Sequence, residues 1–123
     1  MIVVDTSVWI DHLRARDAAL SRLLEAGQVL VHPFVIGELA LGNLKNRPTV
    51  IGLLQELPRT SVATDEEMLQ FIDRHSLSGL GIGYIDAHLL AATKLAAGSV
   101  LWTRDKRLQA VASRLGLAND PVH

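Results

Sequence analysis

Four carboxylates stand where a merely solubilising acid has no need to be. Asp5 closes the β-branched run Ile2, Val3, Val4, and Asp105 follows the apolar run Val100, Leu101, Trp102 after two intervening residues. Asp86 opens a stretch whose remaining face is apolar, and Glu38 lies inside the apolar segment from Phe34 to Leu41. Each acid alone has an ordinary explanation: Asp5 as a cap, Asp86 and Asp105 at the positive end of a helix dipole, Glu38 pointing to solvent. Together they would repel one another unless a hard cation were present. Mg²⁺ or Mn²⁺, which take oxygen ligands and water in an octahedral shell, fit such a group, and phosphate chemistry is the leading use of such a site.

The elements that must position these acids alternate between strand and helix. Ile2 to Val4 shows no polar alternation, as suits a central parallel strand covered on both faces. Thr6 or Ser7 caps a helix to about Arg14, and Asp17 caps a second that ends before Gly27. Val29 to Val31 reads as a strand, Pro33 opens a helix to about Leu44, and another helix runs from about Pro48 to Glu56. A weak strand is expected at Ser61 to Ala63, and Thr64 with Glu67 forms a capping box for a helix to about His75. Ser76 to Gly83, with Gly79, Gly81 and Gly83, reads as a mobile loop. Ile85, Leu89, Ala92 and Ala96 then recur at helical spacing up to Gly98. Val100 to Trp102 is the last strand, and Arg104 to Leu115 a helix closed by Gly116. This order predicts a single α/β domain over 1–123 with a mostly parallel sheet, whose ligand site lies beyond the carboxyl ends of the strands.

Composition narrows the chemistry. The 123 residues include no cysteine, which excludes a disulfide framework, a thiolate metal site and a cysteine nucleophile. The formal charge of −1 excludes nucleic-acid capture by a globally basic surface. The N-terminus has no basic leader pattern, and the longest apolar stretch, Ala87 to Val100, is split by Lys94 and too short for a span, so no membrane is expected and the protein reads as cytoplasmic. His12, His32, His75, His88 and His123 lack zinc-ligand spacing and read as surface or packing residues. The glycines of SGLGIG do not form a dinucleotide fingerprint, and Ser7 has no nucleophile-elbow context.

Setting the four acids aside leaves nine acids against twelve bases. Lys45 and Arg47 after the Glu38 helix, and Arg104, Lys106 and Arg107 around Asp105, are candidate phosphate contacts. The segment from Pro33 to Leu41 supplies more apolar residues than one buried face requires, so Val35, Ile36 and Leu39 are expected to form a self-association surface. A receiver-type phosphotransfer module is disfavoured because no acid lies between Asp17 and Asp65 except Glu25, Glu38 and Glu56, leaving no mid-chain phosphoacceptor aspartate. A haloacid-dehalogenase-type phosphatase would want an aspartate where Ser7 stands. A non-catalytic metal- or partner-binding α/β regulatory domain remains the alternative to an enzyme.

The strings VVDTSVWID, GELALG, GYIDAHLLAA and LWTRDKRL resemble, in order and spacing from Val3 to Leu108, the PIN-domain ribonucleases, specifically the VapC-type toxins of bacterial toxin–antitoxin pairs. The resemblance implies a three-layer α/β/α sandwich and a Mg²⁺- or Mn²⁺-dependent endoribonuclease. By position Asp5, Glu38, Asp86 and Asp105 match the family's catalytic and metal-holding acids, and Thr6 and Thr103 match hydroxyl residues that support them. It further implies an RNA substrate such as tRNA or rRNA loops, a homodimer, and a small cognate antitoxin whose C-terminal segment covers the acidic groove.

Overall fold

The computed structural model describes residues 1–119, so His123 lies outside the described residues. The chain forms β1 (Ile2–Val4), α1 (Thr6–Arg14), α2 (Ala18–Glu25), β2 (Val29–Leu30), α3 (Pro33–Leu41), α4 (Arg47–Glu56), α5 (Asp65–Arg74), α6 (Tyr84–Leu95), β3 (Val100–Trp102) and α7 (Lys106–Arg114). The strands pair in the order β2-β1-β3, all parallel, with Val3 opposite Leu30 on one side and Leu101 on the other. Parallel neighbours require long crossovers, and the helices supply them. Val3 and Val4 point to opposite faces and are both wholly buried, so helices cover the sheet on both sides. This is the α/β sandwich expected from the sequence.

Several expected boundaries move. No strand forms at Ser61 to Ala63; the chain pairs earlier, as a single bridge of Val31 with Arg59, with Val31 N–H donating to Pro58 O and Thr60 N–H to Val31 O. Ala118 makes a matching bridge to Leu101 at the other edge, so short segments flank both outer strands. Helix α3 stops at Leu41 rather than Leu44, because Gly42 turns extended and the Arg47 guanidinium donates to the freed carbonyls of Ala40 and Gly42. Helix α6 ends at Leu95, short of Gly98.

Two other expectations are corrected. Val35, Ile36 and Leu39 are buried in the main core with Val4, Leu90 and Leu101, and form no free surface. The apolar residues of α3 that the core takes up are Val35, Ile36 and Leu39, while Leu41 at its end stays exposed. The loop between α5 and α6 is anchored rather than loose: Leu77 is buried, Ile82 packs on the core, and Gly83 is tied to Asp86.

Candidate active site

Parallel register brings two of the four acids together. Val4 of β1 lies opposite Trp102 of β3, and Asp5 N–H donates to Trp102 O at 2.9 Å, so the chain leaves both strands at the same edge. Asp5 caps α1 and Thr103 leads into α7. Asp5 is only 6% exposed, and its Oδ2 accepts from Ser7 Oγ at 2.7 Å and Thr103 Oγ1 at 2.8 Å. Each hydroxyl has one proton to give. Both therefore go to Asp5, while the hydroxyl oxygens accept from Arg104 N–H and Asp105 N–H, each at 3.0 Å. The Asp5 carboxylate and the amides leading into α7 are thus linked through two hydroxyls.

Glu38 comes from the opposite direction. Helices α1 and α3 pack together, and Thr6 Oγ1 donates to Glu38 Oε1 at 2.7 Å. Asp86 sits in the first turn of α6, with Oδ2 accepting from Gly83 N–H at 3.0 Å. Asp105 caps α7, with Oδ1 accepting from the amides of Arg107 and Leu108 at 2.9 and 3.0 Å. Burial raises the Asp86 carboxyl above the ordinary carboxylate range, the Gly83 amide opposes this, and the charges of Asp5, Asp105 and Glu38 push it further up. The charges of Asp5, Glu38 and Asp105, from three other stretches of sequence, thus bear on Asp86.

One arrangement recurs at all four. A single oxygen is held by the chain, Asp5 Oδ2, Glu38 Oε1, Asp86 Oδ2 and Asp105 Oδ1, and the other accepts no hydrogen bond from the described residues. Among the described residues no three acid or histidine side chains stand close enough to enclose an ion directly. The donor set nonetheless suits a hard divalent cation, which needs only one or two direct carboxylates and keeps several waters. Oxygen-only ligands with one anchored and one open oxygen apiece fit that requirement.

The expected supporting hydroxyls, Thr6 and Thr103, touch Glu38 and Asp5 respectively. Ser7, read from sequence only as a possible helix cap, joins Asp5 to the Arg104 amide as well. Its position two residues after a strand-ending aspartate was the available signal.

The basic residues divide. Arg104 pairs with Asp11 at 3.1 Å and Asp17 at 2.7 Å, and Arg47 is engaged with the end of α3. Lys45, Lys106 and Arg107 are exposed and make no ion pair among the described residues. Arg107 lies against Gly81 of the α5–α6 loop. Two of the histidines have structural surroundings: His32 and His88 are buried in a ring cluster with Phe34 and Tyr84, and burial, followed by the charge of His88, pushes His32 down to about 4.

Comparison with known proteins supplies the family. The family model described as PIN domain matches residues 2–114. Ribonuclease VapC32 of Mycobacterium tuberculosis, from strain CDC 1551 / Oshkosh and from strain ATCC 25618 / H37Rv, is 50% identical over 118 residues, covering 96% of this chain and 95% of that protein. Near-complete coverage in both directions leaves little room for a different architecture around the four acids. The chain belongs to the PIN-domain family, in its VapC branch.

Proposed function

We propose that this chain is the toxin of a toxin–antitoxin pair, an endoribonuclease that hydrolyses phosphodiester bonds in RNA with the help of Mg²⁺ or Mn²⁺. The observation that supports the reading is that Asp5, Glu38, Asp86 and Asp105 each keep one oxygen anchored and one open, while the charges of the other three bear on Asp86. Family membership and the ribonuclease name of the M. tuberculosis relative support it.

A divalent cation bound there would acidify a water and neutralise charge on the phosphodiester. The chain's own contribution is placement. Ser7 and Thr103 fix one oxygen of Asp5, Thr6 fixes one of Glu38, and backbone amides fix one each of Asp86 and Asp105. Preset carboxylates need little reorganisation when charge develops on the substrate. Attack by water rather than by the ribose hydroxyl would leave a 5′-phosphate and a 3′-hydroxyl. Single-stranded loops of tRNA or rRNA are the proposed substrates, since duplex A-form RNA hides its base edges.

Lys45, Lys106 and Arg107 are the proposed phosphate contacts, with Arg104 and Arg47 joining only if their present partners release them. A cognate antitoxin would silence the enzyme by covering the acids. Activity is proposed to lie in the cytoplasm; no described helix is long and apolar enough to cross a membrane. Incubating antitoxin-free protein with total RNA and Mg²⁺ or Mn²⁺, with and without EDTA, and sequencing new 5′-phosphate ends tests the reading. Discrete metal-dependent ends are expected; intact RNA under all metals would overturn it.

A further inference from the structure

Helices α5 and α6 line an open cavity whose walls include none of the four acids. Its volume is about 380 Å³, and its walls include Glu67, Gln70, Phe71, Arg74 and His75 of the α5 segment and Lys94 of α6. That size lies within the roughly 300–1,000 Å³ usual for small-molecule sites. Eight residues of α6 separate Lys94 from Asp86, a rise of about 12 Å along the helix.

Rings and cations lie together toward the C-terminal end of α5. The rings are Phe71 and His75, tilted against each other with centroids 4.6 Å apart. Arg74 and Lys94 stand beside His75, and Arg114 donates to His75 O. None of these three cations makes an ion pair among the described residues, where both ion pairs belong to Arg104. Burial, and then the fields of Lys94, Arg74 and Arg114, lowers the basicity of His75, so near neutral pH it presents a neutral ring among uncompensated positive charges. Glu67 lies about 10 Å back along α5 from Arg74, two turns away, with Gln70 between them. One Glu67 oxygen accepts from Thr64 N–H; the other accepts no hydrogen bond from the described residues.

Cations and aromatic rings gathered toward one end, and an amide with a free carboxylate oxygen toward the other, complement a nucleotide. The phosphate meets Arg and Lys, the base meets a ring face, and an exocyclic amine meets Glu67 or Gln70. An anion lacking a flat apolar body would leave the rings unused, and an apolar ligand lacking charge would leave the cations unused. We propose that the α5–α6 cavity is a nucleotide-binding subsite for a base that carries an exocyclic amine, with its phosphate at Arg74 and Lys94 and its base over Phe71 and His75. The nucleotide is either a residue of an RNA strand held outside the scissile position or a free mononucleotide. Binding there requires neither metal nor cleavage, so its failure is separable from failure of the nuclease reading.

The full chain, free of antitoxin and kept in EDTA, would be titrated with AMP, UMP, inorganic phosphate and a short oligoadenylate, followed by calorimetry and by amide chemical shifts. AMP is expected to bind with shifts centred on Phe71, His75 and Lys94, and roughly tenfold or more tighter than phosphate alone, the stacking contribution of one base. UMP, which lacks the exocyclic amine, should bind more weakly than AMP. Arg74→Gln combined with Lys94→Gln should weaken AMP binding by roughly tenfold or more while leaving the melting temperature unchanged. Displacement of AMP by the oligonucleotide identifies an RNA strand as the source; AMP binding that the oligonucleotide leaves intact identifies a free nucleotide. Phosphate binding as tightly as AMP, an unaffected double variant, shifts centred on the four acids, or a second copy covering the cavity with no AMP bound would each overturn the proposal.

Discussion

Asp5 and Asp105 hold their positions through one oxygen each, and that division decides what a substitution does. An asparagine keeps an accepting oxygen for the anchoring hydrogen bonds, and Asn is as good a helix cap as Asp. Asp5→Asn and Asp105→Asn should therefore fold with near-normal melting while RNA cleavage falls by roughly 10²-fold or more. Near-normal cleavage by either purified variant would remove that residue from the site. Asp86 gives a test in the opposite direction. Its folded pKa is raised, by burial first and by its acidic neighbours after the opposing Gly83 amide. A raised folded pKa means the group's stabilising contribution is fully present below the unfolded carboxylate pKa and is lost as pH rises through the folded value. At neutral pH the ionised Asp86 thus opposes folding, so Asp86→Asn should raise the melting temperature of metal-free protein there and lose this advantage below about pH 4, near the unfolded value. Added Mn²⁺ should stabilise the wild type more than the variant. Thermal melts in EDTA and in Mn²⁺ across that pH range decide it, and a variant melting lower at neutral pH in EDTA would contradict the crowding of charge.

At the scale of elements, the loop from α5 to α6 connects the site to a basic residue of α7. Gly79 and Gly81 both have φ near +78°, at +77° and +78°, where an L side chain is strained. A Cβ at Gly79 would meet open space, whereas one at Gly81 would come within 2.7 Å of the Arg107 guanidinium. Gly79→Ala and Gly81→Ala should both lose about 1–2 kcal/mol of stability from the backbone alone. Only Gly81→Ala should also displace Arg107, and the flexible end of that side chain can move aside at small cost. If Arg107 contacts substrate phosphate as proposed, Gly81→Ala should raise KM for RNA while Gly79→Ala leaves it near wild type. Equal KM values for the two variants would separate Arg107 from substrate binding. Helix α7 itself depends on Asp105, whose side chain caps it, so the carboxylate proposed for the site also starts an element.

For the whole molecule, the residues left exposed for a second copy are not those the apolar α3 sequence first indicates. Val35, Ile36 and Leu39 are in the core, whereas Leu41 at the end of α3 is 91% exposed and Leu53 on the adjoining α4 is 59% exposed. Helices α3 and α4 pack together, so these leucines belong to one α3–α4 hairpin. A homodimer through this hairpin is the proposed assembly. Leu41→Lys together with Leu53→Lys should shift the mass in sedimentation to a monomer with little loss of stability, because neither side chain is in the core. Leu39→Ala should instead cost about 2–5 kcal/mol of folding stability. A wild-type chain that sediments as a monomer at high concentration would sink the dimer.

The alternation of strand and helix, the central place of Ile2–Val4, the capping box at Thr64 and the four acids were legible in the chain, because each rests on short-range chemistry: periodicity, β-branching, capping and acids in apolar surroundings. The resemblance of four blocks in register added the family. Folding decided what depends on partners distant in sequence. Thr103 becomes a support for Asp5 only when parallel register brings it there across the chain, and the same register ties Ser7 to the Arg104 amide. Arg104 is paired because α1 and α2 bring Asp11 and Asp17 to it, although its neighbours in sequence suggested a free phosphate contact. The strand expected at Ser61 to Ala63 reduces to a bridge at Arg59, whose partner is Val31, the residue just after β2. Hydrophobicity specifies that α3 must be covered, but hydrophobicity has no direction. Whether a core or a second copy covers it is settled by the packing of the other helices, and here the core covers Val35, Ile36 and Leu39.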